Sequence, residues 1–166
     1  MNDISSWDLI VAEKFEEAAA KAKEEYESEK LSPYLYNRVL ALLNLKKYHE
    51  AYLDCETLLV DCDSDNHLIL AGLCQWGINN YKGAIEIWER GVKDYPVEGI
   101  EIPALLYFAS IVTNNAELKR ESIKLLSKLW RKINQKGWPA PIAGLLLGKQ
   151  SLDQTVVSLR HAQINN

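Results

Sequence analysis

Leu45-Lys46-Lys47-Tyr48-His49-Glu50-Ala51 returns 33 residues later as Ile78-Asn79-Asn80-Tyr81-Lys82-Gly83-Ala84, with Tyr81 over Tyr48 and Ala84 over Ala51. Apolar runs of helical period precede and follow each copy. A period in the low thirties, built from two helices and a tight turn, marks a helical repeat array in which each unit buries its apolar face against the next. The doubled stretch, Tyr34 to Pro96, therefore decides the fold.

Working outward, helix start and stop signals predict nine helices. The first spans Trp7 to about Ser28, capped by Ser5 with Asp8 three residues on. Its face of Leu9, Ala12, Phe15, Glu16, Ala19, Ala22, Lys23 and Tyr26, apolar apart from Glu16 and Lys23, suits an N-terminal cap of the array or a degenerate repeat half. Ser32-Pro33 reads as an N-cap serine followed by proline at the first helical position, opening Tyr34–Leu45. Tyr48–Asp61 follows. Ser64-Asp65 caps Asn66–Gly77, whose pair is Tyr81–Asp94. Val97 to Glu101 reads as an inserted loop. Ile102-Pro103 opens a helix to about Thr113, and Asn114-Asn115 turns into Ala116–Asn134. After Gly137-Trp138-Pro139-Ala140-Pro141 come a short helix, Ile142–Leu147, ending at Gly148, and a last one, Leu152 to about Gln163. Ser151 and Gln154 form a capping box for that last helix.

The second copy resembles the tetratricopeptide repeat: Leu68, Ala71-Gly72, Tyr81, Ala84, Trp88 and Pro96 fall at spacings similar to that family's. The first copy is similar, with Val39 where the family has Gly or Ala, Cys55 where it has a larger ring, and Asp63 in place of the closing proline. A third copy aligns through Leu106, Ala109-Ser110, Ser122 and Leu126. The segment from Trp138 to Ser151 resembles one that joins sets of repeats in bacterial members. The resemblance implies an all-α, right-handed α-solenoid in a single domain, 1–166. In it, 1–31 is an N-terminal capping helix, 32–96 two repeats, 97–136 a degenerate third repeat and 137–166 a C-terminal cap. It also implies that the paired helices cross at Gly72 and Ala84, with Trp88 beside them.

Little in the residues points to catalysis. His49, His67 and His161 are scattered, and there is no metalloprotease motif, Cys-x-x-Cys, phosphate loop or nucleophile elbow. Asp61-Cys62-Asp63-Ser64-Asp65 departs from a calcium loop, with Asn66 at the sixth position and Gly72 at the twelfth. Cys55, Cys62 and Cys74 read as free, buried and structural. Neither a metal nor a cofactor is expected. Met1 to Leu9 lacks the pattern of a signal peptide, and no apolar run reaches the ~20 residues of a membrane span. The expected location is the cytoplasm.

Charge is unevenly spread along a chain of net charge −4. Between Lys47 and Lys82 there is no lysine or arginine, while Glu50, Asp54, Glu56, Asp61, Asp63 and Asp65 fall in that gap. This acidic side is suited to steering a basic partner. Lys124, Lys128, Arg131 and Lys132 share one helix face, but acidic overall charge and a lone Trp130 argue for a solvated face rather than nucleic acid.

Carried over residue by residue, the family's concave surface falls on Tyr36, Leu40 and Asn44, on Asn66, Ile69, Leu73 and Trp76, and on Tyr107, Ile111 and Asn114. This implies an apolar trough with asparagines at intervals, suited to a helix or extended peptide, unless the terminal helices fill it. The basic clamp with which some members grip a C-terminal carboxylate is missing. The function expected is non-catalytic protein binding. Its most specific form is a neutralising partner, such as the immunity protein (antitoxin) of a basic toxin domain. The alternative is a chaperone of secreted clients or a general scaffold.

Overall fold

The computed structural model describes residues 4–61, 64–95, 99–132 and 139–164. Ten α-helices and no strand occur among them: α1 Ser6–Val11, α2 Phe15–Glu29, α3 Ser32–Asn44, α4 Tyr48–Asp61, α5 Asp65–Gly77, α6 Tyr81–Asp94, α7 Glu101–Val112, α8 Ala116–Lys132, α9 Ala140–Leu146 and α10 Leu152–Ile164. They fall into two compact units, Met1–Gly91 and Val92–Asn166, each described here by itself.

One turn recurs throughout. Glu13, Lys46, Asn79, Asn114 and Gly148 take left-handed φ values of 57°, 58°, 64°, 51° and 66°, at spacings of 33, 33, 35 and 34 residues. After each, the next residue donates its N–H to the carbonyl five back: Lys14 to Leu9, Lys47 to Leu42, Asn80 to Gln75, Asn115 to Ser110 and Lys149 to Gly144, at 2.8–2.9 Å. The left-handed residue itself bonds three back, as in Glu13 to Ile10 at 2.9 Å. This is the Schellman closure, which satisfies carbonyls a helix end otherwise leaves orphaned. It joins α1 to α2, α3 to α4, α5 to α6, α7 to α8 and α9 to α10, making five hairpins.

The expected first helix, Trp7 to Ser28, is therefore two helices, and the count is ten rather than nine. Glutamate gives no breaking signal. Its left-handed backbone costs roughly 1–2 kcal/mol, offset by the Schellman bonds and by Leu9 and Ala18 packing with Ala41. The trace of this hairpin was in the sequence: Phe15, Ala18 and Ala22 precede Tyr48, Ala51 and Cys55 by the same 33 residues.

The expected caps fare unequally. Ser5 and Asp8 form a reciprocal capping box, and Ser151 and Gln154 another. Ser64 Oγ accepts the His67 N–H. Ser32, by contrast, is the first helical residue, with Leu31 as an extended N-cap and no side-chain cap bond. The Val97–Glu101 loop is shorter than expected, because Glu101 already belongs to α7; residues 96–98 lie outside the described ones.

In the first unit α2 packs on α3, α3 on α4 and α4 on α5. Leu35, Val39, Leu42, Ala51, Cys55, Leu58, Leu70, Ala71 and Cys74 form one core. Gly72 faces the fully buried Trp88 indole so closely that a Cβ there would overlap the ring. Burying that indole is worth roughly 4–6 kcal/mol at ~25 cal/mol/Å² over ~150–250 Å². Gly77 lies against the Tyr48 ring in the same way, which gives the repeated tyrosine a role in joining one hairpin to the next. In the second unit α7 packs on α8, α8 on α9 and α9 on α10. Leu126, Leu129, Trp130, Ala140 and Ala143 make its core, with Gly144 beneath the Trp130 ring.

Candidate functional site: an apolar face on the first helices

The common turn provides a register for comparing hairpins. Six residues before the left-handed position stand Trp7, Leu40 and Leu73; three before stand Ile10, Leu43 and Trp76; two before stand Val11, Asn44 and Gly77. These positions are brought into one neighbourhood, because α1 touches α3 and α3 touches α5. Asn37 Nδ2 donates to the buried Ser6 Oγ at 3.0 Å, and the Tyr36 ring lies 5.9 Å from that of His67.

Charge separates the two helices of each hairpin. Among α1, α3 and α5 the only aspartate, glutamate, lysine or arginine residues are Asp8, Arg38 and Asp65. Asp8 is held in the Ser5 capping box, Arg38 is paired with Asp54, and Asp65 caps its own helix start through the Asn66 N–H at 2.8 Å. The second helices carry many more: α2 alone has eight charged residues. A helix apolar on most of its circumference has more than one face to bury. The core takes one, and the other holds the candidate residues.

Trp7 and Val11 are the most open of the apolar ones at these positions, 52% and 68% exposed. Tyr36 and Leu40 are half-buried against the core of the first unit. Asn44 is exposed and donates to the Leu40 carbonyl at 2.9 Å; Asn66 is exposed in the first turn of α5. Ile69 and Leu73 are half-buried. Trp76 is held from within, 4.5 Å from the Tyr81 ring and stacked 5.8 Å from Trp88. Trp7 and Val11 went unread in the sequence because their hairpin was taken as a single helix.

In the second unit the expected register is off by three. Tyr107 turns inward and packs on the core around Leu126 and Leu129. Asn114 is the left-handed turn residue itself, and so forms the hairpin. Ile111 is exposed, and the outward positions beside it belong to Phe108 and Val112, each about half exposed. The third copy, aligned through Leu106 and Ala109, sets Ile111 level with Leu73, whereas counting back from Asn114, 35 residues after Asn79, puts Phe108 there.

The acidic residues lie mainly on a second helix, away from the register positions just described. Glu50 and Glu56 are exposed on α4. Asp54 is not part of an open acidic side: it is 8% exposed and receives Arg38 Nη1 on both carboxylate oxygens at 2.7 and 2.8 Å. Burial pushes its carboxyl above the ordinary aspartate range, against the opposing pull of Arg38, and Glu50 adds to the upward push. Asp65 is exposed; Asp63 and the Asp61 side chain lie outside the described residues.

No three histidine, cysteine, aspartate or glutamate side chains converge on a metal-sized site among the described residues. His49 and Glu50 line an open cleft of about 390 Å³ between Lys46–Glu50 and Gly77–Asn79. Cys55 and Cys74 are free and buried, their sulfurs 3.9 Å apart; Cys62 lies outside the described residues. The Cys74 contact and burial drive the Cys55 thiol far above the ordinary range, which makes it inert. On α8, Lys124 pairs with Glu121 at 2.8 Å and Arg131 Nε donates to the Ser127 carbonyl at 3.2 Å, as on a self-paired outer face. No described helix is long and apolar enough to cross a membrane. No family model matches the chain, and no curated protein matches it.

Proposed function

We propose that the chain is a non-catalytic protein-binding module of the tetratricopeptide-repeat type, whose partner lays an apolar helix or extended segment against α1, α3 and α5. The observation that carries this reading is the near absence of charge on those three neighbouring helices, with Trp7 and Val11 more than half exposed among them. Exposed aromatic and aliphatic side chains beside half-buried ones provide anchors and a dry surround, the arrangement of a binding hot spot. The recurrence of one turn at 33–35 residues supports the family assignment. The finer reading is a dedicated neutralising partner of a basic protein domain, such as the immunity protein of a bacterial toxin. Its support is the acidic balance of the first unit, where nine lysines and arginines face seventeen aspartates and glutamates, a net charge of −8.

The test begins with affinity capture from the native cell, using the whole chain as bait. The captured protein is then purified and titrated calorimetrically against wild type and Trp7→Ala/Val11→Ala. A loss of about tenfold or more in affinity is expected, since truncating a central anchor costs about 1–2 kcal/mol or more. Unchanged affinity in the double variant would remove the α1–α3–α5 face from the proposal. A captured protein inhibited by the chain would support neutralisation; one kept unfolded or export-competent by it would support the chaperone instead.

A further inference from the structure

We infer that the outer face of α4 is a second docking surface, built for a basic amphipathic helix of a partner protein. The inference rests on the protein-binding reading above but concerns a different helix and names the partner's chemistry. Leu53 and Val60 are 64% and 85% exposed. Seven residues apart, they stand on one side of the helix, roughly 10.5 Å from each other along the axis. At 100° per residue Glu56 falls on one flank of this pair and Glu50 on the other, and both carboxylates are exposed. The result is an apolar stripe edged by negative charge.

Other charged helices neutralise carboxylates within themselves. On α2, Lys14 and Lys23 reach Glu17 and Glu27 at 3.5 and 3.8 Å; on α6, Lys82 reaches Glu86 at 3.7 Å. On α8, Lys124 reaches Glu121 at 2.8 Å. Within α4 itself no such pair can form, because the chain has no lysine or arginine between Lys47 and Lys82; Lys47, at the start of the helix, stands three residues before Glu50 as Lys14 does before Glu17. Arg38 does reach α4, but Asp54 takes it. Glu50 lines a cleft with Lys46 and Lys47, whereas Glu56 has no lysine or arginine near it in the sequence, and the aliphatic pair between them is exposed. A complementary helix would set two or three aliphatic side chains on Leu53 and Val60 and flank them with lysine or arginine. Each interaction would then be an opposite-charge pair at the edge of a dry centre, the usual division between the rim and core of an interface.

The probe is an 18-residue fluorescent peptide of leucine and lysine with helical periodicity, compared with its Lys-to-Glu counterpart and a scrambled form. Binding is followed by anisotropy at physiological salt, with circular dichroism and thermal midpoints confirming that each variant folds. The lysine peptide is expected to bind at least about tenfold more tightly than either control. Leu53→Ser/Val60→Ser and Glu50→Gln/Glu56→Gln should each weaken it about tenfold, roughly 1.4 kcal/mol. Leu152→Ser/Val157→Ser, which removes exposed apolar residues on α10, should leave it unchanged. Equal binding of the scrambled peptide, or wild-type affinity in both α4 variants, overturns the inference. Loss only in Trp7→Ala/Val11→Ala overturns it too, while leaving the α1–α3–α5 face standing. No binding of the lysine peptide overturns it as well, and the capture experiment judges the first face separately.

Discussion

Gly72 and Trp88 show how closely single residues are matched in the first unit. Alanine at 72 would gain about 1 kcal/mol in helix propensity. Its Cβ, however, would fall inside an indole that is fully buried and has nowhere to go. Overpacking of this kind costs about 1–3 kcal/mol, and the overlap here places Gly72→Ala at the upper end. The expected outcome is a lower urea midpoint at unchanged m-value, by about 1 kcal/mol or more. A second prediction concerns Asp54. Burial raises its pKa in the folded state above the unfolded value despite Arg38. The folded chain then holds the proton more tightly, so this group's contribution is greatest in acid and is lost as pH rises from ~4 through the raised value. With Asp54→Asn standing for the neutral form, the stability advantage of wild type should shrink between about pH 3 and about pH 7. An advantage that grows with pH would mean that the Arg38 pair outweighs burial. Cys55 and Cys74 should react with a thiol reagent only on unfolding, as expected of buried thiols.

At the scale of elements, the hairpin turn is the recurrent device, and two of its five copies, at Glu13 and Lys46, put a residue other than Gly or Asn at positive φ. Lys30, outside these hairpin turns, also takes positive φ and closes α2 through a single bond to Tyr26. Replacing Glu13 or Lys46 by glycine removes the Cβ strain of about 1–2 kcal/mol but enlarges the entropy of the unfolded chain by part of that amount. A net gain of about 0.5–1 kcal/mol is expected at either site, read as a rise in thermal midpoint. Gly148→Ala should do the reverse. Its added Cβ meets nothing within 4 Å, so the whole loss would come from φ = 66°. If Lys46→Gly destabilised the chain, the turn would be held by the lysine side chain rather than by its backbone.

Across the whole molecule, charge divides as the compact units do. Val92–Asn166 carries ten lysines and arginines against six aspartates and glutamates, a net charge of +4 that opposes the −8 of Met1–Gly91. Fields of one sign raise the encounter rate with an opposite partner, and salt screens them over a Debye length of ~8 Å at physiological ionic strength. In stopped-flow mixing with the lysine peptide, or with a captured basic domain, the association rate should fall steeply with salt. Glu50→Gln/Glu56→Gln/Asp65→Asn should flatten that dependence, and Asp54 is left intact because it serves the fold. A salt-independent rate would assign recognition to apolar contacts alone.

The hydrophobic period, the 33-residue return of Tyr48 and Ala51, and the serine caps determine by themselves that the chain is helical and where most helices begin. Local rules suffice there, because a helix is stabilised by bonds among residues four apart and by caps that lie beside it. The resemblance also implies a crossing at Gly72 and Ala84 with Trp88 beside it, and the indole does lie against Gly72. Tertiary structure alone decides the rest. Glu13 breaks the first helix because a Schellman closure and packing around Leu9, Ala18 and Ala41 outweigh a backbone preference. That Tyr107 turns inward and Phe108 outward depends on where Asn114 closes its hairpin. Asp54 could be read as one more surface acid until Arg38, sixteen residues away, is found across from it on α3. The same holds for the candidate faces. Exposure of Trp7 and Val11, and of Leu53 and Val60 between Glu50 and Glu56, follows from which neighbours pack where, a long-range property that no local pattern encodes.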